Sequence, residues 1–163
     1  MDVTGPRLNL YHRTFHPDLP GLAVVGQFAS SGPYFPLLEL QARWIANVWS
    51  GLVPVDEFEM RASVSTEPPA LDSHDALAAT LAGVAGVAPV LEARPELLEP
   101  LLFGPLLPSR YRLDGPGAAV DAPGRFLQDV ASSPRAAVEP DDVACLPRLG
   151  LGELAVSLAK VMT

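Results

Sequence analysis

The chain has 163 residues, enough for one domain with its own core, and 48% of them are hydrophobic, which argues for a folded rather than a disordered protein. A formal net charge of −8, with no cluster of Lys and Arg interleaved with aromatics, predicts no nucleic-acid partner. Eighteen prolines predict short helices joined by stiff, irregular connections, and no apolar run is long enough to predict a membrane span.

In chain order, Leu8 to Phe15 reads as a short extended piece, and FHPDLPG after it is turn material. Leu22 to Val25 is an apolar run bounded by Gly21 and Gly26, which predicts a strand buried on both faces. The loop QFASSGPYFP leads into the clearest helix. From Leu37 to Val48, the residues Leu37, Leu40, Trp44 and Val48 share one face, flanked by Leu38, Ile45 and Trp49. Glu39, Arg43, Asn47 and Ser50 form the predicted polar stripe. Pro36 suits the first turn of this helix and Gly51 its C-terminal cap.

Further helices are predicted at Val55 to Val64, after a Ser73 cap with Leu77, Leu81 and Val84 on one face, and from Pro95 through ELLEPLLFG, where Pro100 should shorten the element. GPLLPSRYRLDGPG is turn-rich. Val120 to Ala131 predicts a fourth helix, SSPRAAVEPDD a flexible linker, and Gly152 to Met162 a small amphipathic tail helix. The fold class that follows is mostly α with a small N-terminal β fragment. A two-face-buried strand with few neighbours reads as a piece of a larger sheet.

Candidate chemistry is sparse. His12 and His16 stand four apart but lack an intervening Glu, and HPDLP is not helical, so no metal site is predicted. His74 is placed in the first turn of a helix. Cys145, among acids, reads as a small apolar filler. Gly150, Gly152 and Ala155 spell G-x-G-x-x-A, but no strand precedes them and too little chain follows for a βαβ unit, so they read as a turn before the tail helix. Trp44 and Trp49 read as core anchors, and Tyr111, Arg112 and Asp114 as structural. No catalytic dyad is predicted.

The stretch LYHRTFHPDLPGLAVVGQFASSGPYFPLLELQARW, with its strand, Gly-Gln, Ser-Gly-Pro loop and ELQARW helix in order, resembles the C-terminal part of flavin-containing monooxygenases. Weaker similarity runs through HDALAATLAGVAGVAPVL to FGPLLPSRYRLDGPG, so that the likeness covers roughly Leu8 to Val130. The resemblance implies the C-terminal part of a Rossmann-like FAD-binding α/β fold, in which LAVVG joins the sheet and the next loop approaches the flavin. It implies that Gly26, Gln27, Phe28, Ser31, Gly32 and Pro33 contact FAD, with Gln27 offering a donor and an acceptor, and that Ser30 helps to shape the loop. The activity implied is oxygenation of soft nitrogen or sulfur nucleophiles with FAD, NADPH and O2.

On that reading, residues 1–52 are the last strands, loop and helix of the FAD domain, 53–131 a helical extension, and 132–163 a linker and tail. Both glycine-rich dinucleotide fingerprints of the family lie outside this sequence. The expectation is therefore a cytoplasmic C-terminal fragment, inactive alone, that works with an upstream FAD- and NADPH-binding polypeptide or as a homo-oligomer. The alternative is a non-catalytic, α-rich protein-binding module derived from the same family.

Overall fold

The computed structural model describes residues 8–19, 21–63, 73–134, 138 and 140–161. The described residues are mostly helical and form no sheet. The chain divides into two compact units, residues 1–88 and 89–163.

The first unit is built on α1, Tyr34–Trp49, whose apolar face of Leu37, Leu40 and Trp44 is almost wholly buried. Gly51, with φ of +75°, follows the last turn as the cap position required. Helix α2, Glu57–Ala62, starts where the Asp56 carboxylate accepts hydrogen bonds from the backbone of Phe58 and Glu59 at 2.8 and 3.1 Å. Helix α3, His74–Val84, begins after Ser73 and packs on α1, with Leu77, Ala78 and Leu81 buried. The predicted Val64 end of α2 lies outside the described residues.

Two expectations for α1 are corrected. Asn47, assigned to the polar stripe, is buried and its amide donates to the Ala85 carbonyl at 3.0 Å, tying α1 to the end of α3. Trp49, expected in the core, is 59% exposed. Adding a turn and a half to the helix carries position 49 past the face that Trp44 buries.

The predicted strand is also corrected. Leu22 to Val25 is not a strand buried on both faces: Leu22 is 39% and Val25 47% exposed, and the only pairings near them, among the described residues, are isolated bridges of Phe15 with Tyr11 and with Ala23. The extended reading of Leu8 to Phe15 gives way to a tight reversal. Residues His12 and Arg13 both take positive φ, 42° and 60°, and Thr14 N–H donates to the Tyr11 carbonyl at 2.9 Å. Side chains rarely adopt that conformation, so nothing in the composition of this segment announced it.

The second unit contains α4, Leu98–Phe103, α5, Ala122–Ser132, α6, Pro140–Cys145, and α7, Gly152–Val161, joined by short 3₁₀ turns. Two sides of the α4 region serve two cores. Leu97 and Leu101 pack with Leu113, Phe126 and Val130, whereas Leu98 packs with Leu146, Leu154 and Leu158. Arg94 staples the first core by donating to the Leu113 carbonyl at 2.9 Å and to the Asp114 carboxylate at 3.0 Å. The predicted linker is corrected at its end, where Pro140 opens α6; residues 135–137 and 139 lie outside the description. Cys145 is exposed rather than a buried filler, and its thiol donates to the Asp142 carbonyl at 2.9 Å. Gly150, with φ of +79°, makes the turn that precedes α7.

Candidate functional site

The segment from Gly26 to Pro33 is anchored at its first residue by a side chain that its own sequence does not contain. Gln41, fully buried on α1, accepts from the Gly26 N–H at 2.9 Å and donates to the Arg13 carbonyl and the Thr14 hydroxyl, each at 2.9 Å. A carbonyl can only accept and an N–H can only donate, so these partners fix the orientation of the amide. One residue thereby joins the helix, the His12–Arg13 reversal and the Gly26 turn. Thr14, also fully buried, donates in turn to the His12 carbonyl at 3.0 Å.

Gly26 has φ of +86°, and a Cβ there would lie 3.3 Å from the Leu38 side chain, so the turn calls for glycine on both counts. Gln27 is committed locally: its amide oxygen accepts from the Leu8 N–H at 3.2 Å and its amide nitrogen donates to the Leu8 carbonyl. Phe28 is buried and stacks on Tyr34, with ring centroids 5.3 Å apart and planes 15° from parallel. Ser31 and Pro33 are exposed.

Gly32 leans on α3. A Cβ at this position would meet the His74 ring at 2.5 Å, so only glycine lets the loop approach so closely. The approach is secured by the Ser30 hydroxyl, which lies 3.2 Å from His74 Nδ1 and accepts from the Gly32 N–H at 3.3 Å. Pro33 then ends the loop at the N-cap of α1, where no side chain caps the helix. The first backbone N–H groups of α1 carry the helix's partial positive charge, beside the Phe28–Tyr34 stack.

Sequence reasoning thus named the loop but missed Gln41, Thr14 and the role of His74. A signal for Gln41 was present: it lies four residues after Leu37 and three before Trp44, inside the apolar stripe, where an amide must find partners or be expelled.

Behind the frame, Trp44 gathers Phe15 edge-on at 4.7 Å, with Tyr11 and His12 each at 5.8 Å between ring centroids. Burial lowers the pKa of His12 below the usual imidazole value, and the nearby Glu59 carboxylate opposes that effect in part. Because the folded value lies below the unfolded one, the unfolded chain binds more protons as pH falls. The stabilising contribution is complete above the unfolded pKa of about 6.5 and is lost on descending through it toward the folded value. Urea midpoints measured from pH 7.5 down to 5.5 should therefore fall more for the native chain than for His12→Asn, which removes the titration and tolerates the positive φ. Parallel pH profiles would contradict this role.

No group of three or more His, Cys, Asp or Glu that could hold a metal occurs among the described residues, and no described helix is long and apolar enough to cross a membrane.

The model of the flavin-binding monooxygenase-like family matches residues 1–130, and the chain belongs to that family. It is similar to flavin-containing monooxygenase 5 of Homo sapiens, 33% identical over an alignment of 136 residues, with 71% of this chain and 25% of the human protein covered. It is also similar to dimethylaniline monooxygenase (N-oxide-forming) 2 of Rattus norvegicus, 31% identical over 135 residues, with the same 71% and 25% coverage. The chain spans about a quarter of the length of these relatives.

Proposed function

We propose that this chain supplies the flavin-side, C-terminal segment of an FAD- and NADPH-dependent monooxygenase and works with polypeptide bearing the family's glycine-rich dinucleotide motifs. The observation that carries the reading is the Gln41 frame, which holds the Gly26 turn and thereby the loop that enters the uncapped N-terminus of α1. In this reading, Gly26, Gln27, Phe28, Ser31, Gly32 and Pro33 form the cofactor-facing surface.

The residues present suit one edge of a flavin and not a whole dinucleotide. The unpaired N–H groups of Tyr34 and Phe35 at the helix start favour the electron-rich rim of an isoalloxazine, and the exposed Ser31 hydroxyl adds a polar contact. The stacked Phe28 and Tyr34 rings give that side an apolar edge. Gln27, held by Leu8, fixes the approach of the loop, so the backbone rather than its amide meets the cofactor. The chemistry that FAD supplies when bound is NADPH-driven activation of O2 for oxygen transfer to a soft nitrogen or sulfur nucleophile.

The same proposal places residues 1–52 with the last, Rossmann-like part of an FAD domain, 53–131 in a helical extension and 132–163 in a linker and tail, in a cytoplasmic enzyme. Purified alone, the chain is expected to retain no stoichiometric FAD and to leave NADPH unconsumed. Mixed with, or fused behind, family polypeptide carrying both glycine-rich strand–turn–helix motifs, it is expected to restore bound yellow flavin and NADPH oxidation. Stoichiometric flavin with NADPH turnover in the isolated chain would overturn the proposal, as would failure of every complementation. A non-catalytic binding module is the second reading, favoured by the exposed apolar residues around Trp49, and it predicts no restored turnover.

A further inference from the structure

The far end of α1 carries a feature that the flavin reading does not use. Val48 and Trp49, in the last turn, form one wall of a groove of about 360 Å³. Residues 15–19 with Gly21 and Leu22 make the second wall and the Val53–Arg61 segment the third. The lining is dominated by Pro17, Leu19, Leu22, Trp49, Val53 and Met60. At 1.5 Å per residue, a 16-residue helix separates this groove from the Gly32–Pro33 loop by about 20 Å, so one small ligand cannot serve both.

The apolar surface extends past the groove. Leu19, Leu22 and Trp49 are exposed at its walls, and Leu52 and Phe58, just before and within the stretch that makes the third wall, are exposed too. A Trp, Phe and Leu surface with a central concavity and a charged rim has the make-up of a polypeptide contact. The rim also has a sign. Among the described residues there, Arg61 is shared between Glu57 at 3.3 Å and Asp18 at 3.9 Å, and the exposed Asp56 stands next to Glu57 at the start of α2. The rim therefore offers an excess of negative charge around an apolar floor.

We infer that this groove docks an amphipathic polypeptide segment whose apolar anchors enter against Trp49 and Leu22 while flanking Lys or Arg residues meet the Asp18, Asp56 and Glu57 rim. The charge excess sets the choice of occupant. A second copy of this chain would bring the same acidic rim and be repelled, and an anionic lipid surface would be repelled for the same reason. The inference stands apart from the flavin reading, because it concerns the opposite end of α1 and needs no cofactor.

The test uses the full chain and two fluorescently labelled helical peptides of identical leucine pattern, one with lysines and one with glutamates on the polar face, followed by anisotropy. Saturable binding of the lysine peptide is expected, at least about tenfold tighter than that of the glutamate peptide, and weakening as salt is raised. Leu22→Glu, at an exposed position, should weaken binding about tenfold, and the Asp18→Lys, Glu57→Lys pair should abolish the preference for lysine. Reversal of Glu92 and Glu96 in the second unit changes the net charge equally and should leave binding within about twofold, separating the groove from general attraction to an acidic chain. Equal binding of the two peptides overturns the inference, as does indifference to Leu22→Glu with the melting curve unchanged. So does an equal effect of the Glu92 and Glu96 reversals. Association only with itself or only with zwitterionic phosphatidylcholine vesicles assigns the surface to another occupant and overturns it too.

Discussion

Gln41→Met should destabilise the first unit by about 3–5 kcal/mol, because it leaves the Gly26 N–H and the Arg13 carbonyl without the partner that now satisfies them, at roughly 1–3 kcal/mol for each buried group, and takes one donor from the Thr14 hydroxyl, which keeps its bond to the His12 carbonyl. Methionine keeps the length and most of the volume of the side chain, so the loss is polar rather than steric. Both tryptophans of the chain, Trp44 and Trp49, lie in this unit, so urea unfolding followed by tryptophan emission reports on it selectively. A fall of the midpoint by at least about 2 M is expected for a unit of this size. A loss below about 1 kcal/mol would mean that the reversal at His12 and the turn at Gly26 hold themselves, and that Gln41 is not their common support. In the reconstituted enzyme, the same variant should weaken FAD retention more than a surface change of equal destabilisation does.

Phe126→Ala should cost the second unit about 3–5 kcal/mol. Phe126 is fully buried among Leu97, Leu101, Leu113 and Val130, and its removal combines lost apolar transfer with a cavity that short, proline-bounded helices cannot easily collapse. Native-state hydrogen exchange of the α5 amides should quicken by about a hundredfold or more, provided they exchange through opening of this core. Exchange accelerated less than about fivefold would show that α5 is held by something other than the Phe126 contact.

Much of the helical part was legible because the 3.6-residue period is strong where a face is buried. Leu37, Leu40 and Trp44 marked α1, Leu77 and Leu81 marked α3, and Gly51 marked the end of α1. Proline placed another boundary, as at Pro95 before α4. Where reading failed, the cause was usually a group whose role lies in a distant partner. The run Leu22 to Val25 has the composition of a strand, but composition does not supply the neighbouring strands that a buried strand needs. Asn47 looked like surface because its acceptor, the Ala85 carbonyl, is 38 residues away.

The candidate site was legible as a segment and not as a mechanism of support. Gly26, Gly32 and Pro33 are readable as turn residues, and their resemblance to the flavin-containing monooxygenases gave the loop its meaning. What the letters did not show was that Gly32 is shaped by the His74 ring, 42 positions later, or that the amide of Gln27 is occupied by the Leu8 backbone. Side chains that hold a loop from another helix leave no mark on the loop itself.

Photolabelling with 8-azido-FAD is the most direct test of the claim that the Gly26 turn and the start of α1 face a flavin. The chain, combined with family polypeptide carrying the dinucleotide motifs, is irradiated and its adducts are mapped by peptide mass spectrometry. Adducts within Gly26 to Phe35, reduced by excess FAD and by Gln41→Met, are the predicted result. Labelling confined to residues beyond Pro89, or labelling of this chain that excess FAD does not reduce, would contradict it.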